Sequence, residues 1–524
     1  MTSEDPNAVS PEELAQAIQI LERIAQDRGV MLEVPKGERD RLMRAAGRVA
    51  NPGRAARRQL AQAQRRQQKQ QSDTEKQADE LLLAQTGMRQ PLSTRRIKLA
   101  APPEPMPLGS TPGTAVPETS GETSLGTLKQ PRNCYICKGN YREVHLFYDA
   151  LCPECAEFNW AKRQQTADLS GRYVLVTGGR VKIGYHAALK MLRAGAHVVV
   201  TSRFPRNAVQ RFAAEADSAQ WLDRLQLHGL DLRHIRSVEV FADFLSERLP
   251  RLDCILNNAC QTVRRPPGFY AHLMAEERQS LRELPLALQN PLAEHEALRG
   301  DDMLCDSTTQ ERLPAEVASS LAGLQRAAEL SQIALAPDDE TFRTETFPTG
   351  KMDEDAQQVD LRTINSWRLK LADVPTVELL EVQLVNAIAP FVLNARLKPL
   401  MRRVPTMDKH IVNVSAMEGV FYRAFKRDTH PHTNMAKAAL NMLTRTSAAD
   451  YVQDGIHMNS VDTGWITDED PIEIARRKRQ EHDFHPPLDH VDAAARICDP
   501  FFSGLLTGEH VWGKFLKDYQ VSNW

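Results

Sequence analysis

The contrast between apolar and polar stretches is sharpest over residues 171–201, GRYVLVTGGRVKIGYHAALKMLRAGAHVVVT. Tyr173–Val176 is an unbroken apolar run, the pattern of a strand buried on both faces. The chain then turns polar and glycine-rich through Thr177, Gly178, Gly179 and Arg180. From Ile183 and Gly184 onward apolar residues return at helical spacing, Ala187, Ala188, Met191 and Leu192, until Gly195 stops them. His197–Val200 is a second apolar run. The pattern predicts strand, turn, helix, strand. Leu225–Leu230, Cys254–Leu256, HIVNVS ending at Ser415, and HMNSVDTG predict further strands, and TNMAKAALNMLTRTSA predicts a helix. Short buried strands alternating with helices predict an α/β fold.

The rest of the chain reads differently. Residues 1–90 predict helices, partly disordered. Ser10-Pro11-Glu12-Glu13 is a capping box with proline at the first helical position, and Leu14, Ile18, Leu21 and Ala25 make an apolar stripe before Gly29. Between Lys36 and Gln71 eleven Lys/Arg face two acids, Glu38 and Asp40, so this region is either a solvated charged helix or an arm for an acidic partner or nucleic acid. Residues 91–130 are rich in Pro, Thr, Ser and Gly and predict a flexible linker. Residues 261–375 form a long insertion between two strand-helix units, with helical patches such as LPAEVASSLAGLQRAAELSQIAL. It leaves from the carboxyl edge of the sheet, where ligands bind in open α/β folds, and is expected to be a lid or a platform for a protein partner. Arg264 and Arg265 at its root either meet an anionic substrate or are solvated. The loop after Gly464, with Thr467, is expected to be a second lid element beside the cofactor.

With 524 residues the chain has room for about three domain-sized pieces. The net charge of −2 selects no partner class. No run of 18 apolar residues occurs, so no membrane span is expected, and the acidic N-terminus does not read as a secretory signal. Four of the eight cysteines form two CxxC pairs, Cys134/Cys137 and Cys152/Cys155, separated by fourteen residues. Each pair offers two thiolates from a tight turn, and the set suits a closed, structural Zn2+ site in a module spanning 131–165. This cysteine usage implies a reducing compartment, and a cytoplasmic location is expected.

A glycine turn between a parallel strand and a helix is a dinucleotide cradle, because helix-start N–H groups face the pyrophosphate. Ser202 and Arg203 end the next strand, where the adenosine ribose is read, and an arginine there suits a 2′-phosphate. Asp231-Leu232, Asn257-Asn258-Ala259-Cys260, Asn386, Ser415, Lys437, Asn459 and Gly464 follow in order. In this order the features resemble the short-chain dehydrogenase/reductase family over 171–260 and about 376–516. TGGRVKIG resembles its TGxxxGxG turn, Asp231 its adenine-contacting aspartate and NNAC its NNAG. Asn386, Ser415 and Lys437 fall where its catalytic Asn, Ser and Lys belong. The resemblance implies a doubly wound parallel sheet of Rossmann type, NAD(P)(H), and a domain running from 171 to 524 around the insertion. Pairing into homo-oligomers through the helices carrying Asn386 and Lys437 is common in the family.

The departures from the family change the expected chemistry. Lys182 replaces the middle glycine of the turn and, with Arg180 and Arg203, favours NADP(H) over NAD(H). Thr433 stands four residues before Lys437, where the family has its acid, a tyrosine whose ordinary pKa is about 10. A proton donor is then sought at His432 or His430, at Tyr422 in the loop after Ser415, or at Thr433 itself. Cys260 and Thr463 replace a glycine and a proline. Two functions remain open. One is an NADP(H)-dependent oxidoreductase acting on a small carbonyl or alcohol, with an atypical proton donor. The other is a catalytically weak or inactive NADP(H)-binding adaptor, which would use the zinc module and insertion for protein or nucleic-acid partners.

Overall fold

Where apolar residues recur at helical spacing near the N-terminus, the chain is helical. In the computed structural model, helices α1 (Pro11–Gln26), α2 (Lys36–Ala50) and α3 (Arg54–Leu83) form. The structure describes residues 9–90, 123–299, 321–336, 339, 345–353, 357–467, 469–482 and 485–524. It divides into two units, Met1–Asp79 and Glu80–Trp524. In the first, the capping box at α1 is made: Glu13 N–H donates to Ser10 Oγ (3.2 Å) and Ser10 N–H to Glu13 Oε2 (2.8 Å). The helix stops at Gln26, before Gly29, because the Asp27 side chain accepts the Gly29 N–H instead. The stripe Leu14, Ile18 and Leu21 stays about half exposed.

The second unit holds the rest. Strands β1 (Ser124–Asn133) and β2 (Asn140–His145) form an antiparallel ribbon, followed by helix α4 (Pro153–Gln164). The expected linker is therefore too long. Its residues 124–130 are strand, because pairing with β2 satisfies their backbone groups and Leu128 is buried in the module core. The remaining linker positions, 91–122, lie outside the described residues.

The main sheet has eight strands: β3 (Tyr173–Thr177), β4 (His197–Ser202), β5 (Leu225–Gly229), β6 (Cys254–Asn257), β7 (Lys409–Ser415), β8 (Ile456–Asp462), β9 (Phe515–Lys517) and β10 (Gln520–Ser522). Their order is β10-β9-β8-β7-β6-β3-β4-β5, parallel throughout except for β10. The order reverses between β3 and β6, which leaves a crevice at their carboxyl ends. Helices cover both faces. On one face α5 (Lys182–Arg193) and α11 (His490–Thr507) pack through Ala187, Leu192, Ile497 and Phe501. On the other, α7 (Ile235–Arg248), α8 (Thr376–Met401) and α9 (Pro431–Tyr451) pack through Phe241, Leu393, Leu397 and Tyr451. The fold is the α/β doubly wound sheet expected. Helix α6 (Pro205–Ala213) follows β4, and α10 (Ile472–His482) lies in the second lid loop. By length and composition α8 is apolar enough to cross a membrane, although charged and polar residues interrupt its apolar run. Here it forms a core wall: Leu393, Leu397 and Leu400 are fully buried.

The described part of the insertion includes short helical turns between Pro267 and Arg299, over 321–330, and at Ser366–Arg368 and Leu371–Asp373. Much of the expected helix LPAEVASSLAGLQRAAELSQIAL, residues 313–320, lies outside the described residues.

The ribbon module is locked to α11 by charge. Arg163 donates to both oxygens of Asp489 (2.6 and 2.9 Å) and to Asp492 (3.1 Å), and Tyr148 Oη also donates to Asp492 (2.6 Å). Arg163 lies over the Phe147 ring, 4.6 Å from its centroid. Replacing Arg163 with alanine leaves two buried carboxylates without this counter-charge. It should lower stability by about 3–5 kcal/mol in urea unfolding; a loss under about 1 kcal/mol would show that the module does not depend on this pair.

Candidate functional site

The site is built where the glycine turn meets the end of β6. A Cβ on Gly178 would lie 2.8 Å from Ala259 Cα, and one on Gly184 would lie 2.3 Å from Asn258 Nδ2, so only glycine fits. The Asn258 amide donates to Thr177 O (3.1 Å) and Gly178 O (3.2 Å), and Ala259 N–H to Thr177 Oγ1 (3.0 Å). Thr177, Gly178, Gly179, Gly184, Asn258 and Ala259 thus shape one cradle. Lys182 holds the left-handed backbone (φ +56°) that the replaced glycine would adopt freely. Its charge faces Glu469. Burial alone would raise that carboxyl; Lys182, the Thr467 hydroxyl bond (2.7 Å) and Arg265 outweigh it and hold Glu469 below its ordinary range. Thr467, expected at the cofactor, is spent on Glu469. Ile183 opens α5 and borders the ribbon module's apolar cluster.

The adenosine side departs further from expectation. The Ser202 hydroxyl accepts the Phe204 N–H (3.0 Å) and serves the turn. Leu232 is buried in the apolar core under α7. Asp231 is held by Arg233 through its backbone N–H (3.0 Å) and guanidinium (2.6–3.1 Å). Arg233 continues to Glu381 (2.8 Å), which also pairs with Arg264 (2.9 Å). Arg264 is bidentate to Asp339 (2.6 Å), and Arg265 pairs with Asp360. Both root arginines are therefore in ion pairs within the fold, neither solvated nor open to substrate.

Arg180 is buried, donates to Asn207 Oδ1 (2.9 Å), and is pushed down to about 10 by burial. The Arg203 guanidinium lies 4.5 Å from the centroid of Tyr270, an insertion residue. Burial raises the Tyr270 phenol, but Arg203, Arg265 and Arg180 outweigh it and hold it below ten. Between Arg203, Gly229, His295, Leu324 and Ala328 only about 10 Å3 of cavity is left.

The catalytic candidates come together in part. Asn386 sits in a π-helical turn of α8, Leu384–Ile388. Its Oδ1 accepts the Gln261 N–H (2.7 Å) and its Nδ2 donates to Gln261 O (3.1 Å), next to Cys260. Lys437 Nζ donates to Val414 O (2.7 Å), one residue before Ser415. Thr433 lies one helical turn before Lys437 on α9, as the spacing predicts. Ser415 Oγ and Thr433 Oγ1 are both buried and have no hydrogen-bond partner among the described residues.

The other proton-donor candidates face elsewhere. His432 is buried with Nε2 on Glu378 of α8 (3.2 Å). His430 stacks flat on Trp367 at 3.8 Å, and burial lowers its pKa. Tyr422 is half exposed and reaches toward Met417 Sδ and Ser522 Oγ (3.5 Å) at the C-terminal strand, so it does not swing over the site. Helical side-chain direction and loop path decided these three, and neither is readable from spacing to Lys437.

Asp462 was missed, although it stands in the HMNSVDTG strand end. It registers beside Ser415 across β7 and β8. Its oxygens accept the N–H groups of Met417 (3.1 Å) and Gly464 (3.2 Å), tying the two loops that flank the crevice.

The sulfurs of Cys134, Cys137, Cys152 and Cys155 lie within 4.8 Å of one another, with Cys137 and Cys152 3.7 Å apart. A tetrahedron with Zn–S bonds of about 2.3 Å has edges of about 3.8 Å, so the donor set fits.

The short chain dehydrogenase family matches residues 172–279, and the enoyl-(acyl carrier protein) reductase family matches 364–491. Over these two stretches the chain is similar to the short-chain dehydrogenase/reductase family. An uncharacterized protein of Acanthamoeba polyphaga mimivirus is 29% identical over 384 residues, 71% of each chain. Retinol dehydrogenase 14 of Homo sapiens is 31% identical over 19% of this chain and 35% of its own length, and (+)-neomenthol dehydrogenase of Capsicum annuum 30% over 17% and 29%. The Pseudomonas aeruginosa RhlG/NADP active-site complex is similar at 18% identity and TM-score 0.41, over 67% of this chain and 95% of that one.

Burial pushes the Asp462 carboxyl up to about 6. A folded-state pKa above the ordinary 3.8 means that the folded protein binds this proton more tightly. The stabilisation is complete below about pH 4 and is lost as pH rises through 6. Relative to Asp462→Asn, the wild type should therefore lose about 2 kcal/mol between pH 4.5 and 7, at about 1.4 kcal/mol per pH unit. Urea unfolding at both pH values checks this, and a difference that does not move with pH would rule it out.

Proposed function

We propose that the short-chain dehydrogenase/reductase domain is an NADP(H)-dependent oxidoreductase that interconverts a carbonyl and an alcohol. The observation that carries this reading is the pair of buried, unpartnered hydroxyls, Ser415 Oγ and Thr433 Oγ1, beside Lys437. Polar groups buried without partners are costly unless a ligand or water completes them.

The cradle of Gly178, Gly179 and Gly184 would receive the pyrophosphate, and Arg203, Arg180 and Lys182 favour a 2′-phosphate. The bound nicotinamide would supply or accept hydride. Ser415 holds the substrate oxygen. Lys437 binds the nicotinamide ribose and raises the acidity of groups around it. Asn386, held by Gln261, fixes the bend of α8 beside the site. Thr433 would pass its proton to the substrate oxygen and take one back from the Lys437 ammonium one helical turn along α9, and a threonine hydroxyl is a far weaker acid than a phenol, so turnover is slow. Cys134, Cys137, Cys152 and Cys155 would hold a structural Zn2+.

Two measurements test this. In calorimetric titration the protein should bind NADPH more tightly than NADH, and Arg203→Ala should reduce that preference at least tenfold. Failure to bind either nucleotide would overturn the reading in favour of a scaffold that binds partners. Thr433→Tyr restores a phenol four residues before Lys437, and should raise the rate of carbonyl reduction by 10-fold or more, in the range of general acid catalysis. An unchanged rate with intact NADPH binding would mean that hydride transfer is not this site's work.

A further inference from the structure

The backbone N–H groups of Gly464 and Trp465 are successive donors in the segment that follows β8. The first goes to Asp462 Oδ2 (3.2 Å). The second goes to Tyr135 Oη at 3.0 Å, a residue 330 positions earlier in the chain. Tyr135 lies between Cys134 and Cys137, on the turn that carries the first cysteine pair. That turn is closed by Cys134 N–H on Gly139 O (2.8 Å), by Lys138 N–H on Cys134 O (3.1 Å) and by the left-handed backbone of Lys138 (φ +63°). The position of the phenol is thus set by the geometry of the cysteine turn.

Packing points the same way. Ile466 and Leu488, from the loop after Gly464, are buried in one apolar cluster with Cys134, Tyr141, Val144 and Phe147, and Ile183 of the glycine turn borders it. A Cβ added to Gly464 would lie 3.7 Å from Tyr135 Oη, so the hydroxyl stands beside the wall at this glycine. Both sides of the nucleotide crevice, the start of α5 and the segment after β8, therefore rest on the four-cysteine module.

We propose that the four-cysteine module is a working part of the nucleotide site, and that Tyr135 is the positioning residue that fixes the Gly464–Thr467 segment through the Trp465 backbone. This rests on the nucleotide-binding reading above. Tyr135 touches no reacting atom. Metal held by the four sulfurs fixes the turn, the turn fixes Tyr135, and Tyr135 fixes the wall. Loss of the metal releases the wall without any change in the Rossmann residues themselves.

The test uses full-length, Zn2+-loaded protein and two readouts: hydrogen exchange of the peptide covering 463–467, and NADPH affinity by calorimetry. Tyr135→Phe keeps the ring and removes the acceptor. Tyr141→Phe is the control, since Tyr141 Oη bonds Asp149 O (2.6 Å) within the module and does not meet Trp465. Tyr135→Phe should speed exchange in 463–467 about tenfold, the effect of one net hydrogen bond, and weaken NADPH binding at least threefold. Tyr141→Phe should change neither. Chelating the Zn2+ from wild type should reproduce the Tyr135→Phe result, and adding Zn2+ back should reverse it; this arm decides the matter if the variant does not fold. Unchanged exchange in Tyr135→Phe or after chelation, or an equal change in Tyr141→Phe, overturns the proposal. A wild type that binds no NADPH refutes the nucleotide reading, and the exchange arm still decides whether Tyr135 holds the segment.

Discussion

The structure depends on one close approach, that of the glycine turn to the end of β6. Gly178 and Ala259 are so near that no side chain fits at residue 178, and the Asn258 amide bridges to two carbonyls of the turn. This contact pins β3 to β6 at the point where the strand order reverses. It also fixes where Gln261 emerges, and Gln261 is what Asn386 grips from α8. The crevice, the bend in α8 and the placement of α9 with Lys437 all follow from that junction.

Charge at the root of the insertion is spent on ion pairs with the rest of the fold. Asp231, Arg233, Glu381, Arg264 and Asp339 form a continuous chain of ion pairs across the carboxyl edge of the sheet. Partly buried pairs of this kind add little net stability, yet breaking one leaves a charge stranded. They hold the insertion in register over the crevice. Arg203 and Arg180, the cations that the proposed function assigns to a 2′-phosphate, pack against Tyr270 and Phe204.

The ribbon module and the Rossmann domain share a core. Arg163 and Tyr148 reach Asp489 and Asp492 at the start of α11, while Ile466 and Leu488 fill the module's apolar cluster. Ion pairs fix the orientation and the apolar contacts exclude water, so a piece that reads as an appendage bears directly on the crevice.

Much of this was legible in the sequence because it depends on local pattern. Apolar runs such as Tyr173–Val176 and His197–Val200 became buried strands, the glycine turn lies between β3 and α5, and the four cysteines cluster. These features are set by backbone geometry over a few residues, which spacing encodes. What spacing does not encode is where a side chain points once helices pack and loops fold back. His432 turned to Glu378, Tyr422 went to the C-terminal edge, Asp231 closed on Arg233, and Ser202 and Thr467 were taken by local bonds. Tyr135 meeting Trp465, and Asp462 lying beside Ser415, join residues far apart in the chain. The sequence alone thus determined the sheet, the glycine turn and the cysteine cluster; tertiary structure decided which polar side chains meet, because partners far apart in the chain are brought together only when helices pack and loops fold back.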